Sequence, residues 1–324
     1  GWYRSWTEGM LTGGQELPSV LGTSVPDENA ADLRTSGWEL NVKWQDQFML
    51  GRHPFRYDVG FVLGDSRTFI TKYANPTNSL GSLRVGQEVG EIWGFVTEGF
   101  FQSEEEIKNH ADQTPVLSYP GTRGQGVGDI KFKDLDGDGE INTGKSTLDD
   151  PGDRKIIGNS SPRYNYSVTA GFEWAGIDFR VYFQGVGKRD YYPSTSNHYF
   201  WGMYAQPWAN LMVDNLDYWT PENRDAYFPT PKSYAAETSG KELGATQTRY
   251  LQDAGYCRLK NITIGYTFPN KWMEKIGIRN LRVYFSGENL ITWTKLHKSL
   301  DPEGLDGLVY PYQKTYSFGL NLSF

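Results

Sequence analysis

Thr315-Tyr316-Ser317-Phe318-Gly319-Leu320-Asn321-Leu322-Ser323-Phe324 is the stretch that decides the fold. Alternate residues separate cleanly. Tyr316, Phe318, Leu320, Leu322 and Phe324 fall on one side, and Ser317, Gly319, Asn321 and Ser323 on the other. Successive side chains of a strand point to opposite faces, so this segment predicts a strand with one apolar face and one small, polar face. It closes on an aromatic residue, whereas the final residues of a soluble domain are usually polar and frayed. The pattern predicts the last strand of a membrane-spanning β-barrel. The alternative is an ordinary strand of a soluble sandwich.

Six more stretches alternate in the same way. Trp38, Leu40, Val42 and Trp44 oppose Glu39, Asn41, Lys43 and Gln45. Phe55, Tyr57, Val59, Phe61 and Leu63 oppose Arg56, Asp58 and Gly60. Tyr164, Tyr166, Val168, Ala170, Phe172 and Trp174 oppose Asn165, Ser167, Thr169 and Glu173. Ile177, Phe179, Val181 and Phe183 oppose Asp178, Arg180 and Gln184. Ile262, Ile264, Tyr266 and Phe268 oppose Thr263, Gly265 and Thr267, and Leu281, Val283 and Phe285 oppose Arg282, Tyr284 and Ser286. Several run to about ten residues, the length a tilted strand needs to cross a bilayer; soluble strands average about five or six. Charged and amide side chains on the second face suit a watery lumen. Trp38, Trp44, Tyr164 and Trp174 lie near strand ends, where an aromatic girdle meets the headgroups. With weaker strands near residues 68–73 and 89–97, the reading reaches about eight strands.

The connections alternate too. Residues 173–176 join two strands tightly and residues 269–280 form a fairly short link. Residues 187–250 and 293–313 are long. Short turns on one side and long loops on the other match periplasmic and extracellular connections, and structureless loops of such length are uncommon in compact soluble domains. Short helical pieces are expected at residues 103–109, where Ser103 and Glu106 form a capping box, and within residues 209–218.

Composition narrows the partners. The 324 residues carry a net charge of -7 and lack Lys/Arg runs, which argues against nucleic acid. Mean hydropathy is -0.59 and no run of eighteen apolar residues exists, so helical membrane spans are not expected. A barrel strand is only half apolar and escapes that test. Cys257 is the single cysteine, which rules out an intrachain disulfide framework. His53, His110, His198 and His297 lie far apart and offer no local metal-ligand spacing. The opening Gly1-Trp2-Tyr3 shows neither Met nor a signal peptide, and reads as a fragment, a processed chain or the ordered part of something longer.

Four blocks in order carry a resemblance. They are Val89-Gly90-Glu91-Ile92-Trp93-Gly94-Phe95-Val96-Thr97-Glu98-Gly99-Phe100-Phe101; Gly128-Asp129-Ile130-Lys131-Phe132-Lys133-Asp134-Leu135-Asp136-Gly137-Asp138-Gly139, followed by Asp153-Arg154-Lys155-Ile156-Ile157-Gly158-Asn159; Leu259-Lys260-Asn261-Ile262-Thr263-Ile264-Gly265-Tyr266; and Leu281-Arg282-Val283-Tyr284-Phe285-Ser286-Gly287-Glu288-Asn289-Leu290. Together they resemble the carboxy-terminal part of the SusC/RagA family of TonB-dependent outer-membrane transporters of Bacteroidota, from about Leu33 onward. The resemblance implies an all-β, transmembrane antiparallel barrel of twenty-two strands, of which residues 1–324 would supply the carboxy-terminal portion. It also implies a plug domain and a TonB-contacting segment, neither of which is read in this chain. Isolated edge strands cannot face lipid unpaired, so the remaining barrel strands are expected from another segment or chain. A SusD-like surface lipoprotein, TonB, lipid and lipopolysaccharide are the implied partners. Import of a nutrient oligomer, glycan or peptide, across the bacterial outer membrane is the implied function, without catalysis. The alternative function is a soluble all-β carbohydrate-binding or adhesin module.

Three motifs bear on sites. Asp134, Asp136, Asp138, Glu140 and Asn142 follow the opening of a calcium loop, with Gly139 at the sharp turn and carboxylates that converge on a hard cation. Lys145 stands where the bidentate Glu belongs, so further oxygens would come from Asp149, Asp150 or Asp153. The alternative is an Asx/Gly-rich turn without metal. Residues 139–146 also match a P-loop literally, but acidic residues flank them and the sequence after Ser146 does not favour the required helix. Among the loop aromatics, Trp201, Tyr204, Trp208, Tyr218 and Trp219 are candidate platforms for substrate sugars or contacts to a lid protein. The alternative, which the size of the loop favours, is that they form its internal core.

Overall fold

The alternating stretches form one continuous sheet. A computed structural model describes residues 1–13, 27–117, 125–206, 208–232, 240–305 and 312–324. Strands β1 (Trp2–Gly13), β2 (Asp27–Leu50) and β3 (His53–Lys72) come first. Four short strands follow, β4 (Glu91–Phe95), β5 (Thr97–Phe100), β6 (Ile130–Phe132) and β7 (Arg154–Asn159). Next are β8 (Arg163–Trp174), β9 (Ile177–Lys188), β10 (Asp190–Tyr191), β11 (Gln252–Asp253), β12 (Tyr256–Thr267), β13 (Asn280–Thr294) and β14 (Thr315–Ser323). Eight of these make an antiparallel sheet in the order β1-β2-β3-β8-β9-β12-β13-β14. Its neighbours are neighbours in the chain once the loop strands are set aside, which is the meander a barrel is wound from.

The register aligns the apolar residues of each strand across the sheet. One row runs Trp44, Val59, Ala170, Val181, Ile262, Gly287 and Tyr316; the next runs Tyr57, Phe172, Phe179, Ile264, Phe285 and Phe318. Between them, on the opposite face, lie Asp58, Gly171, Arg180, Thr263, Ser286 and Ser317. The apolar face stays open: Trp44 is 61% exposed and Phe318 84%. A soluble sandwich would bury this face under a second sheet. The other sheets among the described residues are two-stranded and are built from the loop strands.

Two strand expectations need correction, and one strand was not expected at all. Residues 68–72 continue β3 rather than forming a strand of their own. Most of residues 89–97 forms β4, which pairs with β7 outside the main sheet. The eighth sheet strand is β1, which pairs with β2 from Trp2 opposite Trp38 to Gly13 opposite Asp27. Arg4 and Glu8 interrupt its alternation, and a bulge between Thr7 and Met10, at Gly9 with φ 66°, shifts its phase.

The long connections share one core. Phe95, Phe100, Ile130, Phe132 and Ile141, from the connection between β3 and β8, join Phe200, Trp201, Tyr204, Trp219, Phe228 and Tyr250, from the connection between β9 and β12. Backbone bonds tie the two together: Phe95 N–H donates to Thr246 O (2.9 Å) and Thr248 N–H to Phe95 O (3.0 Å). Gly128, at φ 86°, lies so close to Trp219 that an added Cβ would meet its ring at 2.5 Å. Each buried aromatic contributes about 1.5–3 kcal/mol, and this shared core packs the two connections against each other.

Candidate functional site

The polar face of the sheet carries ion pairs as well as hydroxyls. Arg56 pairs with Glu173 (3.9 Å), Arg180 with Asp58 (3.6 Å) and Arg282 with Asp178 (2.5 Å). They lie toward the short-turn end, where a concave space of about 1160 Å³ is lined by Gln45, Gln47, Arg56, Asp58, Arg180 and Arg282 among others. Opposite charges alternate along this surface, so it carries no strong field of one sign. It is suited to water and polar solutes.

Toward the long-loop end, β12 carries a bulge at Lys260, where the register to both β9 and β13 slips. The extra residue lets Arg258 before it and Asn261 after it share the polar face. Arg258 is 2% exposed. It donates to Asp301 and Glu303 (2.6 Å each) and to the Thr292 hydroxyl (2.8 Å). Lys260 (2.9 Å) and the Tyr256 hydroxyl (3.0 Å) also donate to Glu303. Burial pushes the Glu303 carboxyl up, but these donors and the Arg258 charge outweigh it and hold it below the usual range. The connection between β13 and β14 is thereby strapped inward over the polar face. Sequence reasoning missed this group; Arg258 and Lys260 amid an alternating strand were its only local signal.

The loop aromatics divide. Trp201, Tyr204 and Trp219 are buried and Tyr218 is half-buried, while Trp208 is 71% exposed. Trp201 meets Phe200 edge-on at 4.7 Å, and Tyr204 stacks on Phe228 at 5.3 Å. Rings whose faces are covered by neighbours offer no platform to a solute. The helical expectation at residues 103–109 corresponds to α1 (Glu104–Asn109), with Ser103 Oγ accepting from Glu106 N–H (3.2 Å). The Glu106 carboxylate reaches back to Gln102 N–H (2.7 Å) and to Lys131 (2.6 Å), not to Ser103.

Asp134, Asp136 and Asp138 bring carboxylate oxygens within 4.8 Å of one another. Asp134 accepts from Gly137 (2.6 Å) and Gly139 (3.0 Å) N–H groups, Asp138 from Glu140 N–H (2.8 Å) and Asn142 Oδ1 from Gly144 N–H (2.6 Å). Asp150 pairs with Lys145 (3.5 Å). Asp153 is fully buried and accepts from Leu135 (2.7 Å) and Asn142 (2.9 Å) N–H groups. Burial pushes its carboxyl up, and the charges of Asp136 and Asp134 add to that. A cation between the three aspartates would relieve the repulsion; Asp153 itself is turned to backbone donors. After residues 139–146 the next element is β7, not a helix, so the P-loop spacing has no phosphate-binding frame.

No protein-family model matches the chain. Over its whole length it is 27% identical to TonB-dependent receptor P3 of Formosa agariphila, covering 32% of that protein. Over 171 residues, 51% of the chain, it is 26% identical to TonB-dependent receptor SusC of Bacteroides thetaiotaomicron. The chain is similar to TonB-dependent receptors, SusC among them. Its fold matches part of the RagAB peptide transporter with a TM-score of 0.66 at 20% identity, covering all of this chain and 33% of that one. The match to the RagAB importer in its closed-closed state has a TM-score of 0.68 at 21% identity. This SusC-like chain therefore spans about a third of the length of the first of these receptors and of the RagAB chains it matches.

Proposed function

We propose that this chain forms the carboxy-terminal third of the barrel of an outer-membrane, TonB-dependent importer that takes up a nutrient oligomer, glycan or peptide. The observation that carries the reading is the set of aligned apolar rows, open on one face and backed by hydroxyls and ion pairs on the other. The apolar rows face lipid and, on the outer leaflet, lipopolysaccharide; the polar face lines the passage. The remaining strands, the plug and the TonB-contacting segment belong to the rest of the protein. The loop assembly faces the outside, beneath a SusD-like lipoprotein, with Trp208 as its substrate-contacting aromatic. Uptake of a labelled oligomer by cells carrying the full receptor is expected to require TonB and to fractionate with outer-membrane protein. A receptor found in the soluble fraction, with uptake unchanged by loss of TonB, overturns the reading.

A Ca²⁺ ion at Asp134, Asp136 and Asp138 belongs to the same proposal, as a clip on an extracellular loop. Glu140 and Asn142 would offer main-chain or side-chain oxygens at the seventh and ninth loop positions. Calorimetric titration of the full receptor is expected to show binding that Asp136→Ala abolishes. No heat up to millimolar Ca²⁺ removes this part and leaves the importer standing.

A further inference from the structure

Two of the short-end connections are two-residue turns, at Gly51-Arg52 and Ala175-Gly176. The link between β12 and β13 differs. It carries α2 (Asn270–Met273) and a following 3₁₀ turn (Glu274–Ile276), closed by Gly277 at φ 75°. Within it Trp272 is 58% exposed and Ile276 65%. The helix and the 3₁₀ turn thus each hold one large apolar side chain out from the protein. Met273, buried, is the counterweight that seats the element, and its carbonyl accepts from Ile278 N–H (3.1 Å).

The charges around the pair have one sign. Lys271, Lys275 and Arg279 are exposed, with Glu274 the only acidic residue in residues 269–279. That is three positive charges against one negative, in a chain whose net charge is -7. Among the described residues no carboxylate pairs with any of the three cations. The element also begins where the lipid-facing rows end. Phe268 is four residues before Trp272, its N–H donates to Leu281 O (2.9 Å), and Leu281 pairs with Leu322. Arg279 N–H donates to Ser323 O (2.9 Å), which fixes the turn against the last strand.

An exposed Trp and Ile within one short connection that also carries three unpaired cations, at the margin of a hydrocarbon belt, have the chemistry of a membrane-interface anchor. We propose that this turn docks into the anionic phospholipid headgroups of the leaflet on the short-turn side, with Trp272 and Ile276 inserted and Lys271, Lys275 and Arg279 on the phosphates. Basic groups near an anionic surface attract it additively, so the anchor is selective for anionic phospholipid. The inference rests on the membrane reading above, and its test separates the two.

The test uses the full receptor in a cysteine-free background that includes Cys257→Ser, reconstituted into phosphatidylethanolamine–phosphatidylglycerol vesicles. Single cysteines replace Trp272, Ile276, Glu274 or Phe318 and carry an environment-sensitive fluorophore; heat-modifiable gel mobility confirms that each variant is folded. Labels at 272 and 276 are expected to be quenched by headgroup-level nitroxide lipids and shielded from aqueous iodide, with the label at 274 showing the reverse. Phosphatidylcholine vesicles, or Lys271→Gln with Lys275→Gln, are expected to weaken the lipid quenching at 276. If 272 and 276 are as open to iodide as 274 while 318 is quenched by lipid, the anchor is overturned and the barrel stands. Shielding from iodide without lipid quenching means a protein covers the turn, and overturns it equally. Iodide access at 318 as well sinks the membrane reading itself.

Discussion

His297 shows ring packing and charge in competition. It stacks on Tyr227 (5.8 Å, 15°), meets Phe200 edge-on (5.0 Å) and bonds the Ser299 hydroxyl through Nδ1 (2.8 Å). Its Nε2 lies 3.8 Å from Asp214. Burial lowers its pKa below the usual 6.5; Asp214 opposes this and Lys298 adds to it. A ring that binds protons less readily folded than unfolded contributes stability above the unfolded value, and that contribution is lost as pH falls through the folded one. Hydrogen exchange in the loop assembly, corrected for intrinsic rates, is therefore expected to quicken as pH drops below about 6.5. His297→Asn should flatten that dependence; an unchanged profile would place the titration elsewhere.

At the scale of elements, the β8–β9 turn shows how little freedom the tight connections have. Ala175 has φ 49° and Gly176 φ 87°, a two-residue turn with both central residues left-handed, whose twist suits a hairpin. Ala pays about 1–2 kcal/mol for that conformation, so Ala175→Asn is expected to stabilise the hairpin by a few tenths to about 1 kcal/mol. Gly176 has no such latitude. A Cβ there would sit 2.5 Å from Thr267 O, while Thr267 N–H donates to Gly176 O at 2.7 Å. Gly176→Ala is expected to destabilise by about 1–3 kcal/mol. The urea midpoint of the heat-modifiable band reads both changes, and a neutral Gly176→Ala would contradict the close approach of β12.

For the molecule as a whole, the two faces of the sheet make opposite demands. Ile262 lies on the apolar row between Val181 and Gly287, and Ser167 lies on the polar face between Val62 and Gln184. A cationic side chain near the bilayer midplane costs about 2–4 kcal/mol, and far less on a lumen. Ile262→Arg should therefore deplete the receptor from outer-membrane fractions, whereas Ser167→Arg should leave its level near wild type. Equal depletion of both variants would mean that the faces are not distinguished by lipid.

Seven of the eight sheet strands were legible because a period of two writes apolar and polar faces directly into the order of residues. β1 was not, since Arg4 and Glu8 fall on its Trp parity and Gly9 resets the phase. The bulge at Lys260 was equally silent: one extra residue changes which side chains face inward without changing composition. The loops had no period to read. Trp201 and Trp208 are seven residues apart and chemically identical, yet one is buried and the other open. The sequence by itself determined the sheet, its two faces and the side on which the long connections lie, because strand geometry turns local alternation into orientation. Only the tertiary structure decided which loop aromatics form a core and that Arg258 holds Asp301 and Glu303, because those outcomes depend on contacts between residues far apart in the chain.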